Sequence, residues 1–203
     1  MDGYNLGYLV NNDLRRVNPP EDWAFTVIDA IFESLRQSKI TEQPRYYLFG
    51  NSAGCQFVHR MLTFVPTAKV KAAICAAAGW WTLPDDETTW PYGFANAPVV
   101  LKTTELERYF AMPLLITVGQ RDNDPYHPLL RRSYEAMAQG NNRLQRAENY
   151  FLTGKQKASR YKFPFNWQFT TVPDVAHSGS KMSAWAATQF VQFEKSGAFP
   201  YQY

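Results

Sequence analysis

Cysteine is scarce: only Cys55 and Cys75 occur in 203 residues. Neither stands in a metal-ligand spacing, which argues against a structural zinc site and against a disulfide framework, so both read as buried free thiols. No apolar run approaches the ~20 residues that cross a membrane, and the mean hydropathy is -0.40. The chain therefore reads as soluble, with no membrane partner. Neither sign of charge dominates: 21 Lys and Arg face 18 Asp and Glu, a net charge of +3. The basic residues are scattered rather than gathered in a tract, so nucleic acid has no electrostatic footprint to bind. The opening MDGYNLGYLVNNDLRR lacks a basic start followed by an apolar run, so no secretory signal is read and the cytoplasm is the default compartment. Repeats and low-complexity tracts are missing too. What remains, 45% hydrophobic with 19% charged residues, suits one domain over 1–203 with a sizeable core.

Along the chain, two periods alternate. Asn18-Pro19-Pro20-Glu21 announces a helix, with Asn18 as cap, Pro19 at the first helical position and Glu21 three residues after the cap. Trp23, Val27, Ile28, Ile31 and Leu35 then form a stripe expected to pack on apolar matter until about Ser38. Residues 45–49, an aromatic run between Pro44 and Gly50, predict a buried strand. Further strands are predicted at 70–77, 113–118 and 167–172, and helices at 53–64, 104–111, 129–139, 142–159 and 182–193. Strands alternating with helices imply an α/β class, a mainly parallel sheet with helices on both faces. Residues 79–102 fit neither period and read as a long loop carrying Trp80, Trp81, Trp90 and Tyr92. Those aromatics either line an acyl or aryl pocket or anchor packing.

Chemistry is concentrated at Gly50-Asn51-Ser52-Ala53-Gly54. This G-x-S-x-G stands directly after a predicted strand and opens a predicted helix, where a sharp turn lifts a serine hydroxyl above a sheet edge and small flanking residues let strand and helix approach. The helix N-terminus supplies a positive dipole, and the Ala53 N–H can donate to an oxyanion. A serine needs a base, and the base an orienting carboxylate. The third strand runs into Gln120-Arg121-Asp122-Asn123-Asp124, and the fourth into Asp174-Val175-Ala176-His177. His177, just beyond the last strand, is the candidate base. His59 falls inside the helix after Ser52 and reads as structural, and His127 follows the acid loop. Asp122 is the first choice for the acid. Asp124 is the runner-up, equally suited to bracing its turn, while Asp174 stands too close to His177 to reach behind it. Arg131, Arg132, Arg143 and Arg146 follow helical spacing and read as a solvated face, and Cys55 as core packing.

The strand–GNSAG–helix segment, GQRDNDP and VPDVAHSGSKM together resemble the α/β-hydrolase superfamily, and more loosely its esterase and polyester-depolymerase-like members, over about residues 18–193. The resemblance implies a nucleophile at Ser52, a base at His177, an acid at Asp122, a small-molecule ester as substrate, and no cofactor or metal. Such folds carry strands ahead of the one leading to the nucleophile, and a loop there gives a second oxyanion donor. Here only about 18 residues precede the first clear helix. The expectation is an N-terminally shortened fold, or Gly3–Gly7 as the end of that loop. A strand at 45–49 with an unpaired edge is expected to associate with another copy. The leading reading is a serine-dependent carboxylic-ester hydrolase. The alternative is a weakly active or non-catalytic α/β-hydrolase-like fragment that binds a small ligand or protein partner through the aromatic loop.

Overall fold

The continuous apolar runs become β1 (Tyr46–Asn51), β2 (Val70–Ala76), β3 (Leu114–Gly119) and β4 (Trp167–Val172), parallel to one another and ordered β1-β2-β3-β4. This computed structural model describes residues 2–11 and 16–201; residues 12–15, part of the opening read for a leader, lie outside them. Side chains alternate across the pleat. Leu48, Ala73, Cys75, Leu114 and Ile116 face the larger core, which holds α3 (Ala53–Phe64), α4 (Thr103–Ala111) and α6 (Arg143–Tyr161). Tyr47, Phe49, Ala72, Ile74 and Leu115 face α7 (Gly179–Ser196). Every residue of β3 is buried, which is why these strands read as unbroken apolar runs. The expected α/β class with helices on both faces is what the chain adopts. No helix among the described residues is long and apolar enough to cross a membrane.

Several expectations need correction. Pro20–Asp22 forms only a 3-10 turn, and α2 (Ala24–Gln37) starts after Trp23 with no side-chain cap. Asn18 is engaged elsewhere: its Nδ2 donates to the Tyr8 carbonyl at 2.7 Å, and its own carbonyl accepts from the Trp23 indole at 2.7 Å. Of the stripe expected along α2, only Trp23 and Ile28 pack inward. Phe25, Ile28 and Phe32 meet the core or Tyr46, whereas Val27, Ile31 and Leu35 are 50%, 55% and 38% exposed. The apolar arc is broader than the surface it meets. Helix 129–139 shrinks to α5 (Tyr134–Ala138), because the Ser133 hydroxyl accepts from the Ala136 N–H and fixes the start there.

The cysteines are not free thiols. Cys55, in the first turn of α3, and Cys75, in β2, are joined as a disulfide across 20 residues of sequence. The helix after β1 packs back on the neighbouring strand and leaves their Cα atoms 4.7 Å apart, close enough for a bridge. His59 lies beside them, with both ring nitrogens occupied: Nδ1 donates to the Cys55 carbonyl at 2.9 Å and Nε2 accepts from the Thr82 N–H at 3.0 Å. That group therefore reads as structural rather than metal-binding.

The aromatic loop goes into the core. Trp80, Trp81 and Tyr92 are buried; Trp81 stacks on Tyr150 at 4.1 Å, and Tyr150 on Trp167 at 5.2 Å. Gln139 pins the loop, accepting from the Trp81 N–H at 2.9 Å and donating to its carbonyl at 2.7 Å. At the front, α1 (Asp2–Asn5) and the following residues cover α3 instead of adding a strand. Tyr4 stacks on Phe57, Arg60 donates to the Asn5 carbonyl, and Leu6 and Leu9 are buried. Among the described residues, no strand pairs with the outer edge of β1.

Candidate active site

Ser52 occupies a backbone conformation that side chains rarely adopt, φ 55° and ψ -115°, between the end of β1 and the start of α3. Its N–H donates to the Ala76 carbonyl of β2 at 2.8 Å, which ties the turn to the sheet. Gly50 has no alternative, because a Cβ there would sit 2.3 Å from the Gly54 carbonyl oxygen. Gly54 differs: a Cβ there meets nothing within 4 Å, so close approach explains the first glycine of the motif and not the second. Ala53 opens α3, and first-turn amides of a helix lie outside its internal ladder and carry the positive end of its dipole. Residues 3–7, the other place considered for an oxyanion donor, contact α3 at Phe57 and Arg60, one and two turns beyond Ala53.

The carboxylate and imidazole arrive on the loops after β3 and β4. These loops are laced together: the Gln120 N–H donates to the Val172 carbonyl and the Arg121 N–H to the Val175 carbonyl, each at 2.9 Å. Gly119 makes the crossing feasible. A Cβ on it would stand 2.1 Å from the Val175 carbonyl oxygen, so the loop bearing His177 lies against bare backbone. The result is a continuous line. His177 Nε2 is 3.1 Å from Ser52 Oγ, and His177 Nδ1 is 2.7 Å from Asp122 Oδ2. The Asp122 side chain is 2% exposed and that of His177 11%.

The structure brings Ser52, His177 and Asp122 together and leaves the other candidates aside. Asp124 braces its own turn, Oδ1 accepting from the Tyr126 N–H at 2.8 Å, and Asp174 is exposed with φ 55°. His59 is held in the core, where burial pushes its protonation well below the usual histidine range. His127 sits edge-on to His177, ring centroids 5.1 Å apart, and burial followed by the charge of Arg143 lowers its protonation as well.

Two arginines overturn the solvated-face reading. Arg143 is 1% exposed and Arg146 0%. Arg146 staples α6 to loop carbonyls, donating to Gly79, Arg131 and Gly140. Arg143 donates to Asp122 Oδ1 at 3.1 Å. Helical spacing gives no sign of this, since the carboxylate partner of Arg143 lies on a strand exit 21 residues earlier in the chain.

Two solved structures resemble this chain closely in fold. Poly(aspartic acid) hydrolase-1 from Sphingomonas sp. KT-1 is 36% identical, with a TM-score of 0.87, over 92% of this chain and 70% of that one. The chain belongs to the α/β-hydrolase superfamily. LpqC, a poly(3-hydroxybutyrate) depolymerase from Bordetella parapertussis, is 32% identical, with a TM-score of 0.86, over 98% of this α/β-hydrolase chain and 65% of that structure. The α/β-hydrolase chain thus spans about two thirds of the length of each. No family model and no curated protein matches it.

Proposed function

We propose that this chain is a serine hydrolase that cleaves a carboxylic ester through an acyl-enzyme on Ser52. The observation that carries the reading is the unbroken line from Ser52 Oγ through His177 to Asp122, 3.1 and 2.7 Å, built on a serine turn with φ 55°. In this reading His177 Nε2 takes the Ser52 proton as Oγ attacks the ester carbonyl carbon, and Asp122 holds the Nδ1–H and balances the imidazolium. The Ala53 N–H donates to the oxyanion, an interaction worth about 2.7–4 kcal/mol where such donors have been removed. Collapse of the tetrahedral intermediate expels the alcohol, which takes the proton from His177. Water, deprotonated by His177, then attacks the acyl-Ser52 carbonyl; the bond to Oγ breaks, Ser52 takes the proton back from His177, and the acid is released.

Both similar structures are hydrolases of polymers by name, one a poly(3-hydroxybutyrate) depolymerase and one a poly(aspartic acid) hydrolase. We favour an ester because its carbonyl is more electrophilic than an amide carbonyl and its alkoxide leaves more readily than an unprotonated amide nitrogen would. The rival reading, a non-catalytic binder using the aromatic loop, has less support because Trp80, Trp81 and Tyr92 are buried and Trp90 is half-buried.

The test is labelling with a fluorophosphonate, with the adduct located by mass spectrometry, alongside turnover of an activated aryl ester. Ser52→Ala is expected to lose both while keeping the circular-dichroism spectrum. His177→Ala should be as damaging, by about 10^4-fold or more in kcat, and His127→Ala mild. Turnover retained in Ser52→Ala would rule the nucleophile out.

A further inference from the structure

Arg143 is placed against every local preference. It is the first residue of α6, so a cation stands at the positive end of a helix dipole, and its side chain is buried to 1% exposure. A buried ion pair is no general source of stability, because desolvation offsets the attraction. Violations of this kind concentrate at functional sites. Here the guanidinium divides the Asp122 carboxylate: one N–H donates to Oδ1 at 3.1 Å, which leaves Oδ2 to His177 Nδ1 at 2.7 Å. A second guanidinium nitrogen lies 3.4 Å from His127 Nδ1, which the Leu129 N–H also approaches at 3.2 Å. With two donors on Nδ1, His127 carries its proton on Nε2 and is neutral.

We propose that Arg143 is a positioning residue of the catalytic site, locking Asp122 so that Oδ2 faces His177 and keeping His127 neutral beside it. The proposal rests on the serine-hydrolase reading and deepens it. When His177 takes the proton from Ser52, the positive charge forms against Asp122 on one side and an uncharged ring on the other. The groups facing this pair of rings are Asp122 and Asp124 from the segment after β3, Arg143 from α6, and Ser52 from the elbow. Arg143 thus sets a positive charge on the face of Asp122 turned away from His177. Its removal has two separable consequences: the carboxylate loses its fixed orientation, and the base is freed only at higher pH.

The experiment compares wild type, Arg143→Gln and Arg143→Lys in kcat, KM and the fluorophosphonate labelling rate across pH. For Arg143→Gln we expect kcat to fall about tenfold to a hundredfold, the scale of a displacement of about 1 Å at a catalytic group, with KM nearly unchanged. The acid limb of the profile should rise by about one pH unit. Arg143→Lys keeps the charge but cannot span Asp122 and His127, so its limb should stay at the wild-type position while kcat still falls. A merely structural arginine would lower the melting temperature and leave the limb alone. An Arg143→Gln profile with an unmoved limb overturns the proposal; if that variant does not fold, an Arg143→Lys variant with wild-type kcat does so. Labelling of wild type at Ser52 tests the hydrolase reading separately. The downfield Nδ1 proton resonance of His177 reads Arg143 without turnover: it should be sharp in wild type and broadened in Arg143→Gln, and a resonance left unchanged by the substitution overturns the proposal.

Discussion

Ser52 and His177 meet from two kinds of scaffold. The serine is carried by contiguous chain: β1 enters a turn, α3 leaves it, and the strained φ of 55° is held by a glycine two residues earlier and by one hydrogen bond to β2. The imidazole and its carboxylate are carried by pieces distant in sequence, the exits of β3 and β4 and the first turn of α6. These are held by the bare backbone of Gly119, the lacing of the two loops, and the Arg143–Asp122 pair. The first kind of support depends on local conformation, the second on tertiary packing. A disturbance of packing should therefore reach the base and acid while leaving the nucleophile turn in place.

Gly119→Ala should show this most strongly. Its methyl group would need room 2.1 Å from the Val175 carbonyl oxygen, and backbone cannot yield as a flexible side chain does. The loop bearing His177 must move. A displacement of about 1 Å at a catalytic group costs on the order of a hundredfold in kcat, and overpacking adds about 1–3 kcal/mol of lost stability. Ester turnover and urea melts on the variant measure both. Wild-type kcat in Gly119→Ala would show that the crossing of the two loops does not position the base.

The same contrast explains what the amino-acid sequence reveals. Ser52 is visible because its requirements lie within five residues, and Asp122 and His177 because each follows a strand recognisable as an apolar run. Arg143 is invisible, because a helical arginine looks solvated until its carboxylate partner arrives from another strand exit. Cys55 and Cys75 fail for the same reason: one sits on a helix and one on the strand beneath it. On α2, both Phe25–Ile28–Phe32 and Val27–Ile31–Leu35 satisfy helical spacing, and only tertiary contacts decide which faces inward. The aromatic loop was equally ambiguous, since Trp80 and Trp81 carry no period that separates pocket from core.

The disulfide sharpens the comparison from the nucleophile side. It ties the first turn of α3 to β2, so its loss loosens the segment that carries Ser52 without touching the His177 loops. Closing a 20-residue loop limits the unfolded chain by about 3 kcal/mol in the entropic account. Reduction, or Cys55→Ala with Cys75→Ser, should lower the denaturation midpoint accordingly, and thiol titration of the unfolded protein should rise from zero to two on reduction. Two titratable thiols before reduction would show that the bridge does not form.

Acid exposes a third difference. His59 is buried and its protonation is pushed well below the ordinary histidine range, chiefly by desolvation and then by the Arg60 charge. The unfolded chain takes up a proton near pH 6.5 that the folded chain refuses. Stability is therefore fully present above that pH and falls as pH drops below it, by up to about 1.4 kcal/mol per pH unit until the folded-state value is reached. Denaturant melts at pH 7.5 and 5.5 should show the loss, and His59→Gln should flatten the slope from a lower starting stability. An unchanged slope in that variant would remove His59 as the cause.

The smallest expected effect on the single chain lies at the far edge of the sheet. The outer side of β1 has no strand partner among the described residues, and four of its residues, Tyr46–Phe49, are only half-buried although β3 is wholly buried. Beside it, Phe32, Gln43, Tyr46, Tyr47, Phe190 and Val191 line a groove of about 470 Å³, and α2 exposes Val27, Ile31 and Leu35. Unpaired strand edges template pairing with another chain, so we propose that two copies associate edge to edge here. Val27→Lys with Ile31→Glu removes apolar surface already in water, so the cost to folding should stay within about 0.5 kcal/mol per site. Ester turnover should be unaffected. Sedimentation should shift toward the monomer, since charge replaces the apolar surface of α2 that would be covered beside the edge. A wild-type chain that sediments as a monomer at high concentration would mean that this side of β1 is not used for self-association, and the contrast between β1 and β3 would then be one of packing alone.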